Sequence, residues 1–159
     1  LSLKKYLSPE FSIKTIGGGS LGQERDGSCL LEKHLITPTK KKLTPNQLST
    51  GLFAWKVVKH TKSNAIVVAK NNKIISISGG QTSRVDATKI AFEKTKIPKG
   101  CIVASDAFFP FKDSIEKMAQ YNIAAIIQPG GSIRDKEVVE SCNKNKIAMA
   151  FTGFRVFKH

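Results

Sequence analysis

The segment CIVASDAFFPFKDSIEKMAQYNIAAIIQPGGSIRDKEVVESCNKNKIAMAF, residues 101–151, decides the fold. It holds three short apolar runs, CIVASDA, IAAIIQP and IAMAF. Each is too short for a helix of ordinary length, and its composition fits a buried strand. Between them, KDSIEKMAQYN and RDKEVVESCNKN read as helices, the second with Val138, Val139 and Cys142 on one side. Strand, helix, strand, helix, strand predicts right-handed crossovers and a parallel sheet. Ligands of such sheets bind in loops beyond the carboxyl ends of the strands. Those loops are 105–111, 128–132 and 152–159.

Upstream, Thr44 before Pro45 predicts a helix N-cap and first position. Leu48, Leu52, Trp55 and Val58 or Lys59 then follow at helical spacing. AIVVAKNNKIISIS comes next, two β-rich runs around Asn71 and Asn72. Asn tolerates positive φ, so this predicts a tight hairpin. Gly17, Gly18 and Gly19 sit between short apolar runs and predict a turn or bulge between strands. They lack the GxGxxG spacing of a dinucleotide loop. No internal repeat or long low-complexity linker divides the chain, so residues 1–159 read as one compact unit.

Three loops could carry chemistry. In ASDAFFPFKDS, residues 104–114, two acids bracket three phenylalanines and a proline. This composition reads as a pocket floor at a strand end. Its rings could stack on a flat heterocycle while Asp113 accepts hydrogen bonds; the alternative is core phenylalanines with Asp113 capping the next helix. GGQTSRVD, residues 79–86, precedes an apolar-periodic helix, and Ser83 with Asp86 resembles a capping box. Glycines, free helix amides and Arg84 would make an anion site; the alternative is a capped helix whose arginine faces solvent. QPGGSIRD, residues 128–135, either lets a ligand approach backbone amides or is an ordinary strand-to-helix turn. Lys59-His60 could polarise and deprotonate a substrate, but at a helix end the pair is better read as serving the dipole.

Composition narrows the classes. The chain has 159 residues, 40% of them hydrophobic, enough for a single core. No run approaches the ~18 apolar residues of a membrane span. The first residue is Leu1 and no secretory leader is visible, so the chain reads as a processed or truncated piece. Cys29, Cys101 and Cys142 are odd in number and far apart, which favours reduced structural thiols over a disulfide framework or zinc site. The net charge is +14, but only Lys40, Lys41 and Lys42 form a run, and no nucleic-acid-binding motif accompanies it. Of the 26 basic residues, only Arg25, Arg84, Arg134 and Arg155 are arginine. A lysine-rich chain keeps arginine where a planar fork matters, chance placement being the alternative.

FAWKVVKHTKSNAIVVAK, GGQTSRVDATKIA, ASDAFFPFKDSIE, IIQPGGSIRD and MAFTGFRVFKH, in that order, resemble the carboxyl-terminal part of the AICAR transformylase family. IGGGSLGQERD is similar to a further family segment, so the resemblance covers essentially the whole chain. The family's enzyme is half of a bifunctional purine-biosynthesis protein, the other half being IMP cyclohydrolase. The resemblance implies transfer of a formyl group from 10-formyltetrahydrofolate, as co-substrate, to the amine of AICAR. It implies a cytidine-deaminase-like three-layer α-β-α subdomain with a mixed, partly parallel sheet and no catalytic zinc. It also implies a cytoplasmic homodimer with sites at the subunit interface, and neither nucleic acid nor membrane as partner.

The resemblance further implies residue roles. Asn64 would stand beside the reacting amine and formyl group, and Arg84 and Arg155 would hold the 5′-phosphate. Phe108, Pro110, Phe111 and Asp113 would form the folate-side wall, with Asp113 bonding the pterin and Phe108 also facing the nucleotide. Gly130, Gly131 and Ser132 would lie in the folate loop. Phe157 and His159 would lie near the base, His159 with a catalytic role. The family's catalytic Lys-His pair has an F-K-H-x-x-P context, which Lys59-His60 lacks. Lys112 stands where the family commonly has arginine, which keeps the charge but weakens bidentate contacts. The expectation is therefore a substrate-binding portion inactive without the upstream transformylase subdomain. The alternatives are a catalytically dead nucleotide-binding remnant, and a basic nucleic-acid-binding domain with strongly salt-dependent affinity.

Overall fold

The computed structural model describes residues 11–24, 30 and 32–159. Arg25 and Cys29 lie outside the described residues. Strands β1 (Phe11–Ile16) and β2 (Gly19–Glu24) pair antiparallel in a two-stranded sheet of their own, turning at the glycine triplet. The main body is a five-stranded sheet with helices on both faces, an α-β-α sandwich.

Helix α1 (Pro45–His60) begins with a full capping box. Thr44 Oγ1 accepts from Gln47 N at 3.3 Å, and Gln47 Oε1 accepts from Thr44 N at 2.9 Å. Together they satisfy two of the helix's orphan donors. β3 (Ile66–Lys70) and β4 (Lys73–Ser78) form the expected hairpin. Asn71 and Asn72 have φ of 50° and 55°, the left-handed pair that a type I′ turn requires. Then come α2 (Arg84–Glu93), β5 (Ile102–Ser105), α3 (Lys112–Ala119), β6 (Ala125–Gln128), α4 (Asp135–Lys144) and β7 (Ala148–Phe151).

Strand order is β4-β3-β5-β6-β7. The β5, β6 and β7 strands run parallel, as their alternation with helices dictates, while β3 is antiparallel to both neighbours. The sheet is therefore mixed and partly parallel. Side chains alternate faces with the strand period of two. Val67, Ala69, Ile102, Ala104, Ala125, Ile127, Ala148 and Ala150 face α1. Ile66, Val68, Val103, Ile126 and Met149 face the other core with α2, α3 and α4.

The alanines on the α1 face let that helix approach closely. A Cβ at Gly51 would sit 2.3 Å from Ile127 Cδ1. This close approach revises the expected stripe of α1. Thr50, Gly51, Ala54, Trp55 and Val58 are its buried residues, whereas Leu48 and Leu52 are half-buried and line an open groove. A small-residue stripe wins because the backbone itself, rather than a layer of large side chains, rests on the sheet. Among the described residues no helix is long and apolar enough to cross a membrane.

Candidate functional site

Sheet direction gathers the candidate loops at one edge. The carboxyl ends of β5, β6 and β7 lie together because those strands are parallel. β3 is antiparallel to β5, so its amino end joins them, with Ile66 opposite Ser105. Ser78, at the end of β4, lies opposite Ile66 as well. The loop leading to Arg84 therefore starts from this edge.

At its centre is a buried polar network. Asp106 is 0% exposed and Arg84 8% exposed. Arg84 Nη1 is ion-paired with Asp106 Oδ1 and donates to Ser105 Oγ at 3.0 Å and the Ala65 carbonyl at 3.3 Å. Its Nη2 donates to Asn64 Oδ1 at 2.8 Å. Asn64 Nδ2 in turn donates to the Gln81 carbonyl at 3.0 Å. The Ala65 amide donates to Asp106 Oδ1 at 3.1 Å. Of the two sequence readings of Arg84, the solvent-facing cation does not match this geometry, since the side chain is buried and both Nη atoms are bonded within the protein. Ser83 Oγ accepts from the Asp86 amide at 3.0 Å and donates to Asp86 Oδ2 at 2.7 Å, so part of the helix N-terminus is already occupied. Asp86 bonds the Ser83 hydroxyl, so only half of the capping box forms.

Beside this network, Arg84, Ala107, Phe108, Pro110, Arg155 and Phe157 line one pocket of 220 Å³. Five of these six are sequence candidates. The Arg155 guanidinium lies 5.0 Å from the Phe108 ring centroid and 6.0 Å from that of Phe157. Cation–π contact holds the fork while leaving Arg155 exposed. The carboxyl-terminal segment is anchored. Val156 N donates to the Asp106 carbonyl at 3.0 Å, and Ser63 N to the Lys158 carbonyl at 2.9 Å. Lys158 N returns a bond to Ser63 Oγ at 3.0 Å. The His159 ring stands 6.0 Å from the Phe157 ring, and Lys14 Nζ donates to the His159 carbonyl. Asn64, Arg84, Arg155, Phe157 and His159 are thus brought into one region.

The 105–111 stretch divides its rings. Phe109 is fully buried, and its amide donates to Gln128 Oε1 at 2.7 Å. Phe108 lines the pocket and Phe111 is 44% exposed. The pocket-floor and core readings therefore each hold for part of the stretch. Phe111 is the N-cap of α3, without a side-chain cap bond, and Asp113 sits exposed in the first turn. Asp113 thus does not cap the helix. Arg134 lies 4.7 Å from the Phe111 ring centroid. In the 128–132 loop, Asp135 Oδ2 accepts from the amides of Gly131 at 2.7 Å and Ser132 at 3.2 Å. Those two amides are therefore bonded within the protein. Gly130 is buried against Phe151.

Asp106 and Asp135 fall within two of the stretches singled out from the sequence, where neither carries a role of its own. The partners of Asp106, Arg84 and the Ala65 amide, lie across space, whereas Asp135 bonds amides three and four residues upstream, a turn spacing that local reasoning could have found. Lys59 and His60 occupy the last turn of α1, where they complement its dipole. Burial raises the Cys142 thiol to about 12, and burial also raises Cys101, partly offset by Lys70. Both are free and buried, as inert structural thiols are.

Fold and site define an α/β domain with an arginine- and phenylalanine-lined pocket at the carboxyl edge of its sheet. Residues 1–94 match the family model of the AICARFT/IMPCHase bienzyme. The chain is 54% identical over 153 residues to the bifunctional purine biosynthesis protein PurH of Aquifex aeolicus, covering 94% of this chain and 30% of that protein. It is 48% identical to PurH of Persephonella marina, with 98% of this chain and 30% of that protein covered. The protein of the same name from Caldicellulosiruptor bescii is 50% identical, over 94% and 29% of the two chains. The chain belongs to the AICARFT/IMPCHase bienzyme family, and it spans about 30% of the length of these relatives.

Proposed function

We propose that this chain is a carboxyl-terminal, substrate-binding portion of the AICAR transformylase half of a purine-biosynthesis enzyme. The complete enzyme would transfer a formyl group from 10-formyltetrahydrofolate to AICAR on the way to IMP. One observation carries the reading: Arg84, Phe108, Pro110, Arg155 and Phe157, from three separate chain segments, line a single pocket.

In this reading Arg155 holds the 5′-phosphate, for it is exposed and steadied by two rings. Its planar fork matches phosphate oxygens bidentately. Arg84 adds a buried positive charge whose Nη1 is fixed by the protein. Phe108 and Phe157 flank the flat imidazole. Asn64, fixed between Arg84 and Gln81, presents a polar group near the reacting amine, and His159 stands by as the proton-handling group. Folate supplies the formyl group. Its pterin would lie against Pro110 and Phe111, with exposed Asp113 as acceptor and the 130–132 loop alongside. The amine nitrogen bonds the formyl carbon, the carbon–nitrogen bond to folate breaks, and a proton passes from the amine to the folate nitrogen. Turnover would need the family's Lys-His pair from the upstream transformylase subdomain, and a cytoplasmic homodimer to complete the site.

The test is calorimetric titration of the folded chain with AICAR at moderate salt. Saturable binding is expected. A charge-assisted hydrogen bond contributes about 1.5–3 kcal/mol, so Arg155→Ala should weaken it by roughly 10- to 150-fold. A folded chain that does not bind, or an Arg155→Ala variant that binds equally well, refutes a phosphate site on this portion. Binding without turnover once the upstream portion is restored would favour the catalytically dead remnant.

A further inference from the structure

We infer that Asp106 is the positioning residue that assembles this pocket. It is fully buried, it stands at the end of β5, and it holds three other chain segments at once. Its side chain takes Arg84 Nη1, fixing the first residue of α2. The same oxygen takes the Ala65 amide at 3.1 Å, fixing the residue next to Asn64. Its carbonyl takes the Val156 amide at 3.0 Å, fixing the residue between Arg155 and Phe157. One residue thereby sets the relative places of Asn64, Arg84, Arg155 and Phe157. The second carboxylate oxygen, Oδ2, is buried with no hydrogen-bond partner among the described residues. Arg84 is thus the charge that compensates this carboxylate, and neither residue keeps its place without the other.

Positioning and charge screening predict opposite signs, which makes the inference testable. If Asp106 merely screened Arg84, Asp106→Asn would unmask a positive charge and tighten anion binding. If Asp106 positions Arg84, the same variant releases the guanidinium and weakens binding despite the extra positive charge. A merely structural role would lower the fraction of competent protein, seen as a lower calorimetric stoichiometry at unchanged Kd.

The ligand arm rests on the nucleotide reading above, so it is paired with an arm that needs no ligand. In ¹⁵N spectra of the chain, the Arg84 Nη protons should be resolved in the wild type and averaged in Asp106→Asn, with Arg155 unchanged. AICAR affinity should fall at least 10-fold with stoichiometry retained. Unaltered Arg84 resonances overturn the inference, and so does an affinity that holds or rises. If the wild type binds no AICAR, the nucleotide reading fails while the Arg84 spectra still decide the role of Asp106. If Asp106→Asn does not fold, Arg84→Met with Asp106→Leu removes both charges together. Exchange of the Ala65 amide should then accelerate at least 10-fold, and the Asn64 side-chain amide signals should move to the positions of a solvent-exposed asparagine. Retention of both overturns the inference.

Discussion

Gly130→Ala should destabilise the chain by about 3 kcal/mol, the balance of two costs and one smaller return. Gly130 has φ of 73°, where an L residue costs about 1–2 kcal/mol. A Cβ there would lie 2.8 Å from both Cγ and Cδ2 of Phe151 and 3.2 Å from Cδ1. Those atoms belong to a ring joined to the last residue of β7, so relief requires the ring or the loop to shift, an overpacking cost of about 1–3 kcal/mol. Reduced freedom of the unfolded chain returns about 0.4–1 kcal/mol. Gly131 is the internal control. Its φ is 87°, yet nothing lies within 4 Å of its would-be Cβ, so Gly131→Ala should cost only the backbone term, net about 1 kcal/mol. For a chain of this size 1 kcal/mol moves Tm by about 2–4 °C. Thermal unfolding should therefore show a fall of about 6–12 °C for Gly130→Ala and 2–4 °C for Gly131→Ala. Phe151→Ala should recover part of the Gly130→Ala loss in a double-mutant cycle, because it removes the Cγ and Cδ atoms that are struck. Equal falls for the two glycines, or no coupling to Phe151, would refute the packing described at the 128–132 loop.

Three further outcomes follow from other parts of the molecule. Thr44→Ala removes half the capping box of α1 and should cost about 1 kcal/mol by urea unfolding, with an unchanged m-value. Cys142 has its thiol raised to about 12, so the native state keeps its proton where the unfolded chain, near 9, has lost it. That contribution is complete below pH 9 and disappears as pH rises toward 12, so stability should fall less steeply over this window in Cys142→Ala than in the wild type. Phe111→Ala exposes no core and should shift stability by less than about 0.5 kcal/mol. If the folate reading holds, it should nevertheless weaken binding of a tetrahydrofolate to the complete enzyme, measured by fluorescence titration.

The fold was legible where a local rule had no competitor. Thr44-Pro45, Asn71-Asn72 and the three apolar runs after Cys101 each dictate structure through a few adjacent residues, and all formed as read. Strand order was not legible, because β5 beside β3 rather than β4 reflects pairing across the chain. The α1 stripe was misread for a related reason. Leu48 and Leu52 look more like core than Thr50 and Gly51 do, but the sheet face beneath is built of alanines, and most of these lie 50 or more residues away in sequence. A close helix–sheet contact selects the small residues of the helix.

The site repeats this division. The arginine skew pointed to positions where a planar fork has a partner, and each arginine of the described residues has one. Arg84 meets a carboxylate, Arg134 the Phe111 ring and Arg155 the Phe108 ring. Composition could not say that these are three different situations. Arg84 is enclosed, so its Nη1 serves the protein and its charge is compensated by Asp106. Arg155 is exposed, so its fork remains available. Of two arginines equivalent by motif, the structure leaves the fork of Arg155 the more exposed and makes Arg84 part of the frame. Removing the Arg155 side chain should therefore act on binding and hardly on stability. Removing that of Arg84 should act on both, since it strands a buried carboxylate at a cost of about 3–5 kcal/mol. Thermal unfolding and calorimetry of Arg84→Ala and Arg155→Ala side by side would separate the two roles, and equal stability losses would contradict the division.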